Sequence, residues 1–289
     1  MGKTGLIVEG GGMKCAYAAG VLDAFLDENI TFDYTMGVSA GAADVVSFLG
    51  GQRDRNRRYY CEHLKDPRYF GPVALLREGN LFGLDYIYST LSNEGGKDPI
   101  DYEAVMSNPA EMVFPATEAA TGRPHYFHKK DLIKNNYRAI KATCALPVLC
   151  KPIEIDGSFY FDGGVSDSIP LKKAFADGCD RVVIIMSKPR TFVMQPQKHR
   201  LFYTMALRKY PHIIHRLNHR HEAYRRQIAM VRRAEKEGRV KIYCPSSSFD
   251  ISTYTMDAKI LNGLYDSGYD DGVRDLPGLR KFLNEADKG

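Results

Sequence analysis

The chain has 289 residues, room for one large domain or two small ones at ~150 residues per domain. Its 44% hydrophobic and 26% charged content excludes wholesale disorder. The net charge is +5, unevenly spread: residues 195 to 241 hold 13 Lys or Arg against 3 Glu, an excess of +10 that leaves the rest at −5. Such a basic segment in a mildly acidic body can serve anionic lipid, nucleic acid or plain solvation.

No apolar run approaches the ~18 residues of a membrane span. The start, MGKTGLIVEGGG, has neither the apolar core nor the cleavage site of a signal peptide, and Leu6 stands where a myristoylation signal needs Ser or Thr. A cytoplasmic protein without a lipid anchor is expected. Cysteines at 15, 61, 144, 150, 179 and 244 form no CxxC and no zinc-type cluster with histidine, so free thiols are expected.

In chain order, Thr4 to Glu9 reads as a strand, Gly10-Gly11-Gly12 as a break, and Met13 to Asn29 as a helix with Tyr17, Val21, Ala24 and Phe25 at helical spacing. Tyr34 to Val38 and Ala40 to Leu49 repeat strand, turn and helix. Residues 52 to 106 read as helices joined by loops, covering the sheet edge. Met112 to Ala116 and His125 to His128 flank ThrGlyArgPro as a hairpin would. Asp131 to Cys144 reads as a helix stopped at Leu146-Pro147. Ile153 to Ile155 and Ser158 to Phe161 flank Asp156-Gly157, the dipeptide of two-residue hairpins. After a helix over Pro170 to Ala176, Arg181 to Met186 is a β-branched run suited to a strand buried on both faces, and Val240 to Cys244 adds another. The basic segment carries a stripe at Tyr203, Leu207, Tyr210, Ile214, Leu217, His221, Tyr224, Ile228 and Val231, which Pro211 divides into two helices. Alternating strands and helices give an α/β class: a doubly wound, mainly parallel sheet flanked by helices, with additional helices at the C-terminal end.

Three constellations bear chemistry. Gly37-Val38-Ser39-Ala40-Gly41 is a GxSxG between strand and helix, where a strained turn presents the Ser39 hydroxyl at the sheet edge and larger side chains at Gly37 or Gly41 would collide. The helix from Ala40 aims its amide end at the same spot, favouring negative charge. A serine that merely caps a helix is the structural alternative. Gly10-Gly11-Gly12-Met13-Lys14 lets backbone amides converge on an anion, a phosphate or a tetrahedral oxyanion. Cys15 interrupts the G-x-G-x-x-G pattern and no GxxxxGK[ST] occurs, so phosphate is the weaker reading. Lys14 reads as a solvated or structural charge.

A serine nucleophile needs a base. His199, His212, His215, His219 and His221 lie in the basic segment rather than on a loop at the strand ends, leaving His125 and His128 as the histidine competitors. Asp162-Gly163-Gly164 offers a carboxylate directly after a hairpin arm, where glycines allow close approach to another turn. An ordinary Asx turn explains the same residues.

Taken in order, GGGMK, GVSAG and DGG resemble the patatin-like phospholipases, serine lipid acyl hydrolases with a Ser-Asp dyad. The similarity extends to ThrGluAlaAlaThrGlyArg at 117 to 123, to the Ala-Leu-Pro-Val-Leu-Cys-Lys-Pro stretch, and to Val165-Ser166-Asp167-Ser168-Ile169-Pro170, covering roughly the first 185 residues. The later Leu264-Tyr265-Asp266-Ser267-Gly268-Tyr269 resembles a bacterial branch of that family. The resemblance implies Ser39 as nucleophile, Asp162 as general base, and an oxyanion hole from the backbone of Gly10, Gly11, Gly12 and Met13. Lys14, Gly37, Gly41, Gly163 and Gly164 support these motifs. Cys15 stands where the family loop usually has glycine. No metal and no cofactor are required, and the partner implied is a lipid or acyl ester, with transient membrane contact and no nucleic acid. Residues 1–190 form the catalytic core, and 191–289 a basic helical extension packed on it. The readings from other classes are a nucleotide-binding module at the first glycine turn and a membrane-surface adaptor built on the basic segment.

Overall fold

The computed structural model describes residues 2–246 and 251–284. The first half runs β1 (Lys3–Val8), α1 (Ala16–Asp27), β2 (Tyr34–Gly37), α2 (Ala40–Leu49), α3 (Arg55–Cys61), α4 (Pro72–Glu78), α5 (Tyr102–Ser107), β3 (Glu111–Glu118), β4 (Pro124–His128) and α6 (Arg138–Cys144). The second half runs β5 (Ile153–Ile155), β6 (Ser158–Asp162), α7 (Leu171–Ala176), β7 (Cys179–Ile185), α8 (Arg200–Ala206), α9 (Pro211–Lys236), β8 (Val240–Tyr243), α10 (Ala258–Arg274) and α11 (Leu276–Asn284).

The strands form one sheet ordered β5-β6-β3-β2-β1-β7-β8, with β4 paired to β3. Its centre, β3-β2-β1-β7-β8, is parallel, whereas β4, β5 and β6 enter as antiparallel hairpin arms. Asp156 and Gly157 both take positive φ between β5 and β6, as the tight hairpin demands. The chain leaves β1 toward β2 and returns to its other side as β7, so the strand order reverses at β1. The loops at the carboxyl ends beside such a switch are where open α/β sheets bind ligands.

Alternation along the central strands builds two cores. Leu6, Val8, Val183 and Ile185 face the layer containing α1, α2, α3, α6 and α10, and Ile7, Val182 and Ile184 face α7 and α9. A third, smaller cluster joins Phe161 and Val165 to Tyr203, Leu207, Ile213 and Leu217 from the basic segment. Every residue of the sequence-derived stripe is buried or half-buried, and Pro211 opens α9 as its first residue, where proline is tolerated.

Three expectations need correction. The helix expected over Asp131 to Cys144 is only Arg138–Cys144. Asn135 takes φ +60 in a tight turn bridging Ile133 and Asn136, and Asp131 instead accepts from the His128 amide at 2.7 Å. The helix expected from Met13 begins as a 3-10 turn over Gly12–Cys15 before α1 starts at Ala16. Residues 52 to 106 cover the sheet edge only in part: α3 and α5 pack on α2, whereas Asn80 and Leu81 hydrogen-bond Lys151 and Leu149 just ahead of the edge strand β5.

Helix α10 lies along α1. Tyr17 donates to Asp271 at 2.8 Å and Tyr265 to the buried Asp23 at 2.7 Å. The two helices approach so closely that a Cβ on Gly20 would strike the Tyr265 carbonyl, and one on Gly268 the Tyr17 carbonyl. Gly20→Leu is therefore expected to lower unfolding stability by at least ~2 kcal/mol in urea titrations, the usual cost of overpacking. No disulfide occurs among the six cysteines: five are buried and Cys244 is half-buried. Ellman titration of native protein should modify at most one thiol rapidly, and all six after denaturation.

Candidate active site

Ser39 sits at the end of β2 with φ 55 and ψ −130, outside the regions an ordinary side chain prefers. Strain of this kind costs on the order of 1–3 kcal/mol and persists only where the surroundings enforce it. The enforcement is visible: a Cβ on Gly37 would collide with the Ala42 backbone, and one on Gly41 would lie 2.6 Å from the Val8 carbonyl oxygen. The Val38 amide donates to that same Val8 carbonyl at 3.1 Å, and the Ser39 amide donates to Thr143 Oγ1 of α6 at 3.0 Å. The elbow is thus pinned to β1 on one side and α6 on the other, and α2 begins immediately after it.

The glycine loop after β1 lies directly against this elbow. A Cβ on Gly10 would stand 2.9 Å from Ser39 Cβ. The loop after β7 braces it from behind: Ser187 donates through its amide to Glu9 Oε2 at 2.9 Å and through its hydroxyl to the Gly10 carbonyl at 2.8 Å, and Lys188 pairs with the buried Glu9. The amides of Gly11, Gly12 and Ala40 meet no acceptor among the described residues. Met13 differs from the sequence expectation, because its amide donates to the Thr253 carbonyl at 3.2 Å. Lys14 lines the cavity beside the Phe192 ring. Cys15 is buried behind the loop, its thiol donating to the Glu9 carbonyl at 3.4 Å and its pKa pushed well up by burial and by nearby Asp44 and Glu9. It lines no part of this cavity.

Asp162 ends β6 opposite Ala116 of β3. Its Oδ1 accepts from the Gly164 amide at 2.8 Å, so the Asx turn does form. Its Oδ2 is buried with no hydrogen-bond partner among the described residues. The carboxyl is 2% exposed, and burial raises its pKa above the ordinary carboxylate value. The Ser39 side chain, the Arg220 guanidinium, the Gly164 amide and Lys188 oppose that rise. The Ser39 hydroxyl is near enough to favour the charged form, although a fully formed hydrogen bond to Oδ2 is not made.

Ser39, Asp162 and the glycine loop line one cavity of about 220 Å³. Arg220 from α9 and Lys188 make its wall cationic, while Phe192 and Tyr254 contribute apolar surface. Arg220 donates from Nε to the Gly164 carbonyl at 2.8 Å, holding the turn that carries Asp162. Sequence reasoning missed Arg220, Lys188 and Thr143. The signal for Arg220 was its position one residue before His221 of the apolar stripe, at the border of the core-facing side. None of the eight histidines lines the cavity: His125 packs against the Phe127 and Tyr160 rings of the antiparallel arms, and His128 is exposed on β4. Among the described residues no group of three or more His, Cys, Asp or Glu could hold a metal ion, and no helix is long and apolar enough to cross a membrane.

The family model described as patatin-like phospholipase matches residues 6–175, and a second, a domain of unknown function (DUF6363), matches residues 210–284. The uncharacterized protein YjjU of Escherichia coli (strain K12) is 28% identical over 198 residues, which is 68% of this chain and 55% of that protein, so the match spans about half of that relative's length. Among solved structures, VipD from Legionella pneumophila superposes with a TM-score of 0.49 at 12% identity, over 96% of this chain and 67% of that one. With more than half of its residues covered by the first model, and with the glycine loop, the serine elbow and the Asp-Gly-Gly turn all inside that stretch, the chain belongs to the patatin-like phospholipase family, a family of lipid acyl hydrolases.

Proposed function

We propose that the protein hydrolyses acyl esters of lipids through a Ser39-Asp162 dyad. The observation that carries this reading is the shared cavity: a strained serine and a buried carboxyl with one unpartnered oxygen open on the same space, beside backbone amides without acceptors. Ser39 Oγ attacks the ester carbonyl while Asp162 Oδ2 takes its proton. The oxyanion that forms is stabilised by the amides of Gly11, Gly12 and Ala40 and by the N-terminus of α2, donors of a kind often worth ~3 kcal/mol each. Collapse of the tetrahedral centre breaks the bond to the alcohol, which leaves with the proton from Asp162. Water then loses a proton to Asp162 and attacks the acyl-enzyme, the fatty acid departs, and Ser39 recovers its proton.

A carboxylate is an ordinarily weak base, and burial makes Asp162 a stronger one. The Ser39 side chain and the Arg220 charge oppose that rise. Residues 191–289 work with the core as one unit, since Arg220, Thr253 and Tyr254 line the same cavity as the dyad. The basic segment supports transient contact with an anionic membrane surface: α8 exposes Leu201, Phe202 and Met205 beside Arg200, Arg208 and Lys209, an apolar tip within a basic collar. The nucleotide-binding alternative has less support, because the glycine loop abuts the serine elbow rather than an open phosphate cradle.

A fluorophosphonate probe followed by peptide mapping is expected to label Ser39 alone. Ser39→Ala should reduce release of fatty acid from phospholipid or short-chain aryl esters by ~10⁴-fold or more, and Asp162→Asn by ~10³-fold or more. Full activity in either variant removes the dyad. The ionised carboxylate is the active form, so kcat/KM should fall as pH drops through a pKa above the ordinary carboxylate range. Arg220→Gln removes a charge that lowers this pKa, and should move the acid limb of the profile to higher pH.

A further inference from the structure

A second cavity continues from the same elbow. Gly12, Ser39 and Leu146 line both spaces, and the second runs along α2 past Ala40 and Ala43 to Asp44. Tyr69, Phe82, Leu84 and Ile87 give it apolar walls, which suits the hydrocarbon of an acyl group held on Ser39. One part of the wall does not suit plain hydrocarbon. Asp44, Arg55, Asn56 and Tyr60, from α2 and α3, line the same cavity.

Of these, Asp44 is the group with capacity left over. It is 1% exposed, its Oδ1 accepts from the Tyr60 hydroxyl at 2.9 Å, and its Oδ2 has no partner among the described residues. Arg55 is committed elsewhere, donating to the Ser47, Tyr59 and Ser92 hydroxyls and to the Asp98 carbonyl. Asn56 donates to the backbone carbonyl of Asp44 at 3.1 Å. Burial, together with the nearby Asp23 charge, pushes the Asp44 pKa well up against the opposing effects of Tyr60 and Arg55, and a carboxyl oxygen accepts a hydrogen bond in either protonation state. Native interiors seldom leave a buried carboxyl oxygen unpaired, and an unsubstituted acyl chain drawn alongside would leave it so in the complex.

Geometry gives the position of the missing partner. Asp44 is five residues beyond Ser39, so at 1.5 Å per residue it lies about 7.5 Å deeper along the helix. An extended chain advances about 1.2 Å per bond, since three backbone bonds span roughly 3.6 Å, and covers that distance in about six bonds. We propose that the acyl group taken by this site carries a hydrogen-bonding oxygen, a hydroxyl or a keto group, about six atoms from the carbonyl, and that Asp44 binds it. The inference rests on Ser39 being the acylated residue.

The test compares kcat/KM for aryl esters of octanoic acid and of 6-hydroxyoctanoic acid. The wild-type protein should prefer the hydroxylated ester at least ~tenfold, because a site built to hydrogen-bond a substrate hydroxyl discriminates against the analogue lacking it. Asp44→Leu should abolish that preference, bringing the ratio of kcat/KM for the two esters to about one. Asp44→Asn, nearly the same shape and still polar, should keep a preference, and it serves as the working variant if the leucine protein fails to fold. Equal rates on the two esters in wild type, or a preference unchanged in Asp44→Leu, would overturn the inference and leave Asp44 bonded to a trapped water. In that event Ser39 is still labelled by fluorophosphonate and both esters are still cleaved. Absence of labelling and of hydrolysis would instead remove the dyad itself, and this inference with it.

Discussion

The backbone conformation at Ser39 is the constraint on which the rest of the structure depends. A non-glycine residue at positive φ relaxes unless its neighbours forbid it, and here three elements do. Strand β1 supplies the Val8 carbonyl that holds Val38 and leaves Gly41 no room for a side chain. Helix α6 supplies the Thr143 hydroxyl that takes the Ser39 amide. Helix α2, anchored in the core by Val45, Val46 and Leu49, starts one residue later and cannot follow a relaxed turn. The parallel sheet therefore aims one hydroxyl, and the glycine loop after β1 is fastened on its other side by Ser187 after β7.

Around Asp162 the balance is electrostatic. Burial raises the pKa of the carboxyl, and the Ser39 side chain, the Arg220 charge, the Gly164 amide and Lys188 oppose that rise. Arg220 spends its Nε on the Gly164 carbonyl while its charge acts on Asp162 from nearby. Lys188, the other cation of the wall, is already paired with Glu9. At Asp44, a second buried acid close to the elbow, burial and the Asp23 charge raise the pKa against the Tyr60 phenol and Arg55. Burial thus raises the pKa of both carboxyls, and different neighbours oppose it at each.

Much of the architecture was legible in the amino-acid order because the signals were local. Glycines two residues either side of Ser39 mean a sharp turn wherever they occur between a strand and a helix. Asp156-Gly157 specifies a hairpin, and the β-branched run before Met186 specifies a strand covered on both faces. The failures were equally local: Lys134-Asn135-Asn136 interrupts a pattern that otherwise suits a helix, since asparagine accepts positive φ at small cost. Arg220 and Thr143 were illegible for a different reason. One is among thirteen basic residues of its segment and the other is a small residue within a short helix. Only the packing of α9 and α6 against the sheet decides which of their side chains meet the elbow and the Asp-Gly-Gly turn. The stripe along α9 gave its buried face, while the register along that face needed coordinates.

The bond from the Met13 amide to the Thr253 carbonyl joins residues 240 apart (253 minus 13). Contacts of such sequence separation are slow to form, because a long loop must close before they contribute. During synthesis the serine elbow and its strands can pair early, as N-terminal parts of a chain generally do. The glycine loop gains its outer brace only after residue 253 has left the ribosome. A nascent chain thus holds the serine elbow and the glycine loop together through the synthesis of residues 40 to 252 without this brace, which the last third of the sequence adds from far away along the chain.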